Sequence, residues 1–206
     1  MSTPTVLGVA VDAITAPELL VAVRHGMQQG QRQWIVTVNA EMAVRADRDH
    51  RFAALLKRAT WRVPDGIGIV WAAHYLSKPL RGPLRGVRYY LQALRHLVWL
   101  ALWPRRVKTV LPETVPGSDL AIDLAGMCEE FGYRLYLLGA APGVAEAAAE
   151  TLRKRFPRLE VVGAEAGTPR ASGDEAVLKR IKAAKADVLL VAYGVPKQEH
   201  WIARNL

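Results

Sequence analysis

The sequence predicts an α/β fold, a mostly parallel sheet covered by helices on both faces. Two observations carry that prediction. Short apolar runs rich in Val and Leu alternate along the chain with helical patterns of ten or more residues, the signature of crossover units. The 206 residues, 51% of them apolar and 23% charged, supply one sizeable core and fall short of two ordinary domains. The expectation is a single domain over 1–206 with one unusual insert at 81–111.

The elements follow in order. "TVLGVAVDA" (5–13) alternates and reads as a strand, and "APELLVAVRHGMQQG" (16–30) is a helix with Pro17 at its start and Gly30 at its end. "QWIVTVN" (33–39) is a buried-type strand. A helix is expected over 40–60, broken near Asp47–Asp49. "WRVPD" (61–65) is a short strand and 66–76 a helix. Beyond the insert come a helix (118–132), a strand (133–140), a helix (142–157), a strand (158–164), a helix (173–186), a strand (187–194) and a last helix (196–206).

Composition narrows the setting. Cys128 is the one cysteine and cannot form an internal disulfide, which favours a reducing compartment. The N-terminus lacks a basic opening and Asp12 interrupts its apolar run, so it does not read as a signal peptide. The longest apolar stretch, "LVWLALW" (97–103), is far shorter than the roughly 20 residues that span a bilayer. A cytoplasmic protein is expected.

The formal charge of +9 is concentrated. Residues 81–111 hold seven bases and no acid, while the remainder carries 21 bases against 19 acids. Within this segment Arg88, Gln92, Arg95, His96 and Trp99 fall on one polar helical stripe, with Leu, Val and Tyr covering the rest. Together with Trp103, Arg105 and Arg106 they suggest a helix lying in an anionic membrane interface. The alternative is a helix packed on its own core or on a second copy, which would make a homo-oligomer.

In parallel sheets ligands bind beyond the carboxyl ends of strands. Four junctions of this chain lie there and are expected on one edge. "LLGAAPGVAE" (137–146) offers Gly139, Ala140, Pro142 and Gly143 before a helix whose N-terminus suits a phosphate, although the full dinucleotide glycine pattern is missing. "YGVPKQEHW" (193–201) places Gly194, Pro196, Lys197, Gln198 and Glu199 at a helix start, where a lysine opposes the dipole unless an anion is near. "VTVNAEM" (36–42) sets Thr37 and Asn39 on one strand face, with Asn39 equally suited to cap a helix. Asp65 and Gly66 end the fourth strand, and Asp65 alone would read as a cap or turn residue. A carboxylate, amide side chains and anion-binding helix starts on one edge are the parts needed to hold a sugar nucleotide and deprotonate a hydroxyl. No Asp-x-Asp and no cluster with metal-ligand spacing occurs, so neither metal nor other cofactor is expected.

The stretches "VTVNAEM", "ADRDHRFAALLKRATWRVPDGIGIVWAA", "VPGSDL", "LYLLGAAPGVAEAAAETLRKRFPRLEVVG" and "VLLVAYGVPKQEHWIARN" resemble, in this order, the WecG/TagA/CpsF glycosyltransferase family. The resemblance covers almost the whole chain outside 81–111. It implies a Rossmann-like sheet and an inverting, metal-independent transfer of N-acetylmannosamine or a related sugar from a UDP-sugar donor. The implied acceptor is a sugar on a polyprenyl diphosphate, used at the inner face of the cytoplasmic membrane in surface-polymer synthesis. It also implies that Asp65 is the base and that Thr37 and Asn39 belong to the active site; desolvation at a strand end would suit such a base by raising its pKa. Members usually carry an Arg where this chain has Thr114, which puts phosphate contact or donor choice in question. They also normally continue for several dozen residues past this ending, so a fragment that binds better than it turns over is expected. Alternative readings are a sugar-nucleotide-binding regulator, a nucleotide-dependent oxidoreductase, which would need the glycine pattern this chain lacks, and a nucleic-acid binder using 81–111. No nucleic-acid partner is expected.

Overall fold

The computed structural model describes residues 3–77, 85–102 and 108–206, and the chain divides into two compact units, Met1–Gly117 and Ser118–Leu206. Both are α/β, with parallel sheets flanked by helices in a Rossmann-like manner.

The first unit opens with a hairpin, β1 (Thr5–Val6) and β2 (Val9–Ala10), where a single strand was expected over 5–13. Leu7 and Gly8 both take positive φ, 49° and 78°, the backbone of a two-residue turn matched to strand twist. Alternation reads the same on both sides of such a turn, so periodicity alone could not reveal it. Helix α1 (Ala16–Gln28) starts with a capping box in which Thr15 N–H donates to Glu18 Oε2 at 2.9 Å. Strands β3 (Ile35–Val38) and β4 (Trp61–Pro64) pair in parallel, Ile35 opposite Trp61 and Val38 opposite Pro64. Between them the expected helix over 40–60 breaks into α2 (Ala40–Arg48) and α3 (His50–Leu56). Asp49 is the reason: its Oδ1 accepts from the N–H groups of Arg51 and Phe52 at 2.9 and 3.1 Å.

Helix α4 (Ile67–Leu76) buries Ile69, Val70, Ala73 and His74. Helix α5 (Arg85–Leu102) forms within the basic insert and is fastened to α4 by aromatic rings. Trp71 stacks on Tyr75 at 5.2 Å, Tyr75 meets Tyr89 at 6.1 Å, and the Tyr75 hydroxyl donates to the Tyr89 carbonyl at 3.0 Å. None of the described helices is long and apolar enough to cross a membrane.

In the second unit β5 (Leu135–Gly139), β6 (Val161–Glu165) and β7 (Val188–Ala192) form a parallel sheet in the order β6-β5-β7. Every residue of the central strand β5 is buried, as a strand covered on both faces requires. Leu135 and Leu137 pack with Ala125 and Cys128 of α6 (Gly117–Phe131) and Ala145 and Ala149 of α7 (Val144–Arg155). Tyr136 and Leu138 face the other way, onto Val177 of α8 (Asp174–Ala183) and Trp201 of α9 (Lys197–Asn205). Burial pushes the Cys128 thiol up to about 12, so it stays neutral as a small apolar filler.

Arginines hold the second unit's acids. Arg204 donates to both oxygens of Asp174, Nε to Oδ2 at 2.7 Å and Nη2 to Oδ1 at 3.1 Å, tying α9 to α8. Arg134 grips Asp187 in the same two-pronged way, joining the starts of β5 and β7. These hydrogen bonds hold both carboxyls below their ordinary range. A folded-state pKa depressed in this way contributes stability that is present above the unfolded value and is lost as pH falls through the folded one. The second unit should therefore lose stability progressively below about pH 4. Asp174→Asn should lower the melting temperature at neutral pH and flatten this acid limb, both read from thermal melts against pH.

Gly139 has φ +117°, and a Cβ there would come within 2.6 Å of the Ala192 backbone carbon. Gly139→Ala should cost at least roughly 1–3 kcal/mol from backbone strain alone, measured by denaturant unfolding, whereas Ala141→Gly in the exposed loop beside it should cost less.

Candidate functional site

The parallel strands fall into two sheets, so the junctions at their carboxyl ends divide into two sets, one in each unit.

In the first unit the β3–β4 ladder runs one step past its last pair: Asp65 N–H donates to the Val38 carbonyl at 2.8 Å. Asn39 keeps an extended backbone (φ −106°, ψ 174°), so Thr37 and Asn39, two apart, share a strand face. Val36 and Val38 alternate with them and are buried. Asn39 does cap α2, its Oδ1 accepting from Met42 N–H at 2.9 Å. Asp65 does not cap α4. That helix has Gly66 at its cap position and no side-chain cap bond, so the half-buried Asp65 carboxylate stands before the helix rather than on it. The "VPG" stretch lies alongside. Val115 N–H donates to the Pro64 carbonyl at 2.7 Å, and a Cβ on Gly117 would come within 3.2 Å of Thr37 Oγ1. Thr114, half-buried, belongs to this same strip. The approach of Gly117 to Thr37 was not foreseen; the glycine in "VPGSDL" was the signal for it.

The second unit's edge is set by chain direction. β5 leads into α7 on one face of the sheet, and its neighbour β7 leads into α9 on the other. Where adjacent strands send the chain to opposite faces, a crevice opens at their carboxyl ends. Gly139 and Ala192 are the last paired rung, and Ala140 N–H donates to the Ala192 carbonyl at 2.8 Å. Ala140 is held at φ 62°, a strained setting for a residue with a Cβ. Neither α7, behind Gly143, nor α9, behind Pro196, has a side-chain cap bond. Both helix starts thus direct first-turn N–H groups and positive dipole ends at this edge.

The predicted binding residues separate by position. Ala140, Pro142, Gly143, Gly194 and Lys197 are exposed at the edge. Gly139 is buried against Ala192 and acts through its backbone, while Pro196 is half-buried. Gln198 and Glu199 are turned into the loop: Gln198 Oε1 accepts from Gly194 N–H at 3.1 Å, and its Nε2 donates to Glu199 Oε1 at 3.0 Å. Tyr193, which the sequence did not single out, sits edge-on to Trp201 with ring centres 6.0 Å apart. Burial pushes its phenol up to about 12, so it stays neutral.

Of the residues expected at a membrane, Arg88 and Arg95 are exposed on α5. Trp103, Arg105 and Arg106 lie outside the described residues, as does the side chain of Trp99. Among the described residues no group of three or more His, Cys, Asp or Glu is placed to hold a metal ion.

Comparison with known proteins gives the family of the chain. The chain is 28% identical over 199 residues to an N-acetylglucosaminyldiphosphoundecaprenol N-acetyl-beta-D-mannosaminyltransferase of Staphylococcus aureus (strain NCTC 8325 / PS 47), covering 96% of this chain and 65% of the relative. A protein of the same name from strain MRSA252 is 27% identical over the same length. The chain thus spans just under two thirds of the relatives it matches. The model of the glycosyl transferase WecG/TagA/CpsF family matches residues 4–98 and 95–206, with both strand-end edges inside the match, and the chain belongs to that family.

Proposed function

We propose that the chain is an inverting, metal-independent glycosyltransferase. It moves N-acetylmannosamine or a related hexose from a UDP-sugar to a sugar carried on a polyprenyl diphosphate, at the membrane face where that lipid resides. The observation that carries the reading is Asp65: a half-buried carboxylate one rung past a parallel ladder and not spent on capping the next helix. Family membership and the relatives' printed activity supply the reaction class.

In this reading the acceptor hydroxyl oxygen bonds to the anomeric carbon as the bond from that carbon to UDP breaks on the opposite face. Asp65 takes the hydroxyl proton and becomes a carboxylic acid, while the bond electrons leave with the diphosphate. A half-buried carboxylate at a strand end is suited to that task. Thr37 lies on the same unit's edge, against Gly117, and in this reading hydrogen-bonds the substrate sugar. Within the second unit, the uncapped starts of α7 and α9 and exposed Lys197 suit the negative charge of a nucleoside diphosphate. Lysine at the positive end of a helix is locally unfavourable, and a bound diphosphate removes that conflict.

The test of the function is incubation of the chain with a panel of UDP-sugars and a polyprenyl-diphosphate-linked N-acetylglucosamine analogue, with product read by mass. Absence of a glycosylated lipid with every donor, under conditions where UDP binds, would favour a binding protein without transfer. Asp65→Asn should lower the transfer rate by about 10²–10⁴-fold and leave UDP affinity nearly unchanged, since a base acts in the transition state. Near wild-type turnover in that variant would remove Asp65 from the mechanism. UDP should raise the melting temperature equally with and without chelator. Lys197→Ala should weaken UDP binding about tenfold, or about 1.4 kcal/mol, as measured by calorimetry.

A further inference from the structure

Helix α5 turns its apolar side outward. Tyr90 is 84% exposed, Leu91 63%, Leu94 60% and Leu102 61%, with Val87 and Val98 on the same stripe, while Gln92 is only 7% exposed. Among the described side chains of α5, six large apolar ones thus face outward while one polar side chain is buried, and the fold shows why. Tyr89 meets Tyr75 of the Trp71–Tyr75 stack and fastens its side of α5 to α4, which leaves the stripe facing away. Arg88 and Arg95, seven residues apart and both exposed, border the stripe on one side and line a shallow concavity with Leu91 and Gln92.

We propose that α5 is a docking surface for an anionic lipid bilayer. The stripe enters the acyl boundary, and Arg88 and Arg95 sit at the level of the phosphates. Charge and area select this occupant over a second copy of the chain. Two copies facing each other through α5 would bring together two segments that each carry seven bases and no acid over 81–111, a repulsion that anionic headgroups turn into attraction. An 18-residue helix is about 27 Å long. A stripe about 10 Å wide along it offers on the order of 300 Å², against about 800 Å² per partner in a stable specific interface. A bilayer has no such threshold, because apolar burial and charge act together along a single helix. Nucleic acid would satisfy the arginines but leave six apolar side chains in water. The docking is independent of the transfer reading, since it needs neither donor nor acceptor.

The experiment is co-sedimentation of the chain with vesicles of phosphatidylcholine alone and of phosphatidylcholine with phosphatidylglycerol, at low and high salt, without substrate. Its oligomeric state is measured in parallel by sedimentation velocity. The chain should bind the anionic vesicles, and more salt should weaken binding several-fold without abolishing it. Leu91→Glu with Leu94→Glu should lower the partition coefficient roughly tenfold or more while leaving circular dichroism and the melting temperature unchanged. Arg88→Gln with Arg95→Gln, which keeps the stripe intact, should bind more weakly and with a smaller salt dependence. Equal binding by the wild type and both variants overturns the proposal, as does equal binding to neutral and anionic vesicles. Loss of self-association in the Leu variant with vesicle binding unchanged also overturns it and makes the stripe a contact between copies. Tighter binding to duplex DNA than to anionic vesicles would assign the segment to nucleic acid instead.

Discussion

Parallel strand pairing forces the chain to leave each strand over a sheet face and return by a helix, so strand ends cannot be closed by tight turns. In the second unit this constraint acts at its sharpest between β5 and β7, whose backbones approach so closely at Gly139 and Ala192 that no side chain fits between them. The two strands then diverge to α7 and α9 on opposite faces. The exposed loop after β5, the uncapped helix starts and the exposed lysine all lie where that divergence puts them. The fully buried central strand and the two apolar clusters on either side of it keep the divergence rigid.

The first unit shows how the same position beside a strand or helix end can serve different ends. Asn39 and Asp49 both stand immediately before a helix, and both spend side-chain oxygens on its first-turn N–H groups. Asp65 stands one residue earlier relative to its helix because Gly66 takes the cap position. One residue of offset converts a stabilising cap into a carboxylate held at an edge. The cost falls on α4, which starts without a side-chain cap and relies on burial of Ile69, Val70 and Ala73.

Charge in this protein is sorted by task. In the second unit Asp174, Asp187 and Glu165 are each held by an arginine. Burial raises the Glu165 pKa, but hydrogen bonds from Arg180 and Tyr136 outweigh it and leave that carboxyl lowered too. Such partly exposed pairs contribute modestly each; Arg134–Asp187 joins two strand starts, Arg180–Glu165 ties α8 to the end of β6, and Arg204–Asp174 ties α9 to α8. Most of the excess of bases over acids lies in 81–111, outside the alternating core. There the aromatic contacts of Tyr89 decide which side of α5 meets solvent.

The sequence by itself determined the α/β class, nearly every element and the strand-end position of the junctions around Thr37–Asn39, Asp65, Gly139–Gly143 and Gly194–Glu199. These depend on local signals: periodicity, Pro and Gly at helix ends, and polar residues where apolar runs stop. Even the break at Asp49 was legible, because a cap is a contact between residues two and three apart. The hairpin at Leu7–Gly8 was hidden, since alternation is indifferent to a two-residue turn. Only the tertiary structure decided what depends on residues far apart in the chain. It separated the parallel strands into two sheets, set Gly117 against Thr37, turned Gln198 and Glu199 into their loop, and made Asn39 a helix cap while leaving Asp65 out of that role. It also turned the apolar side of α5 outward. A helical wheel gives the angle between two faces but not which one is covered, and that depends on a partner, here Tyr75 of α4, fourteen residues from Tyr89.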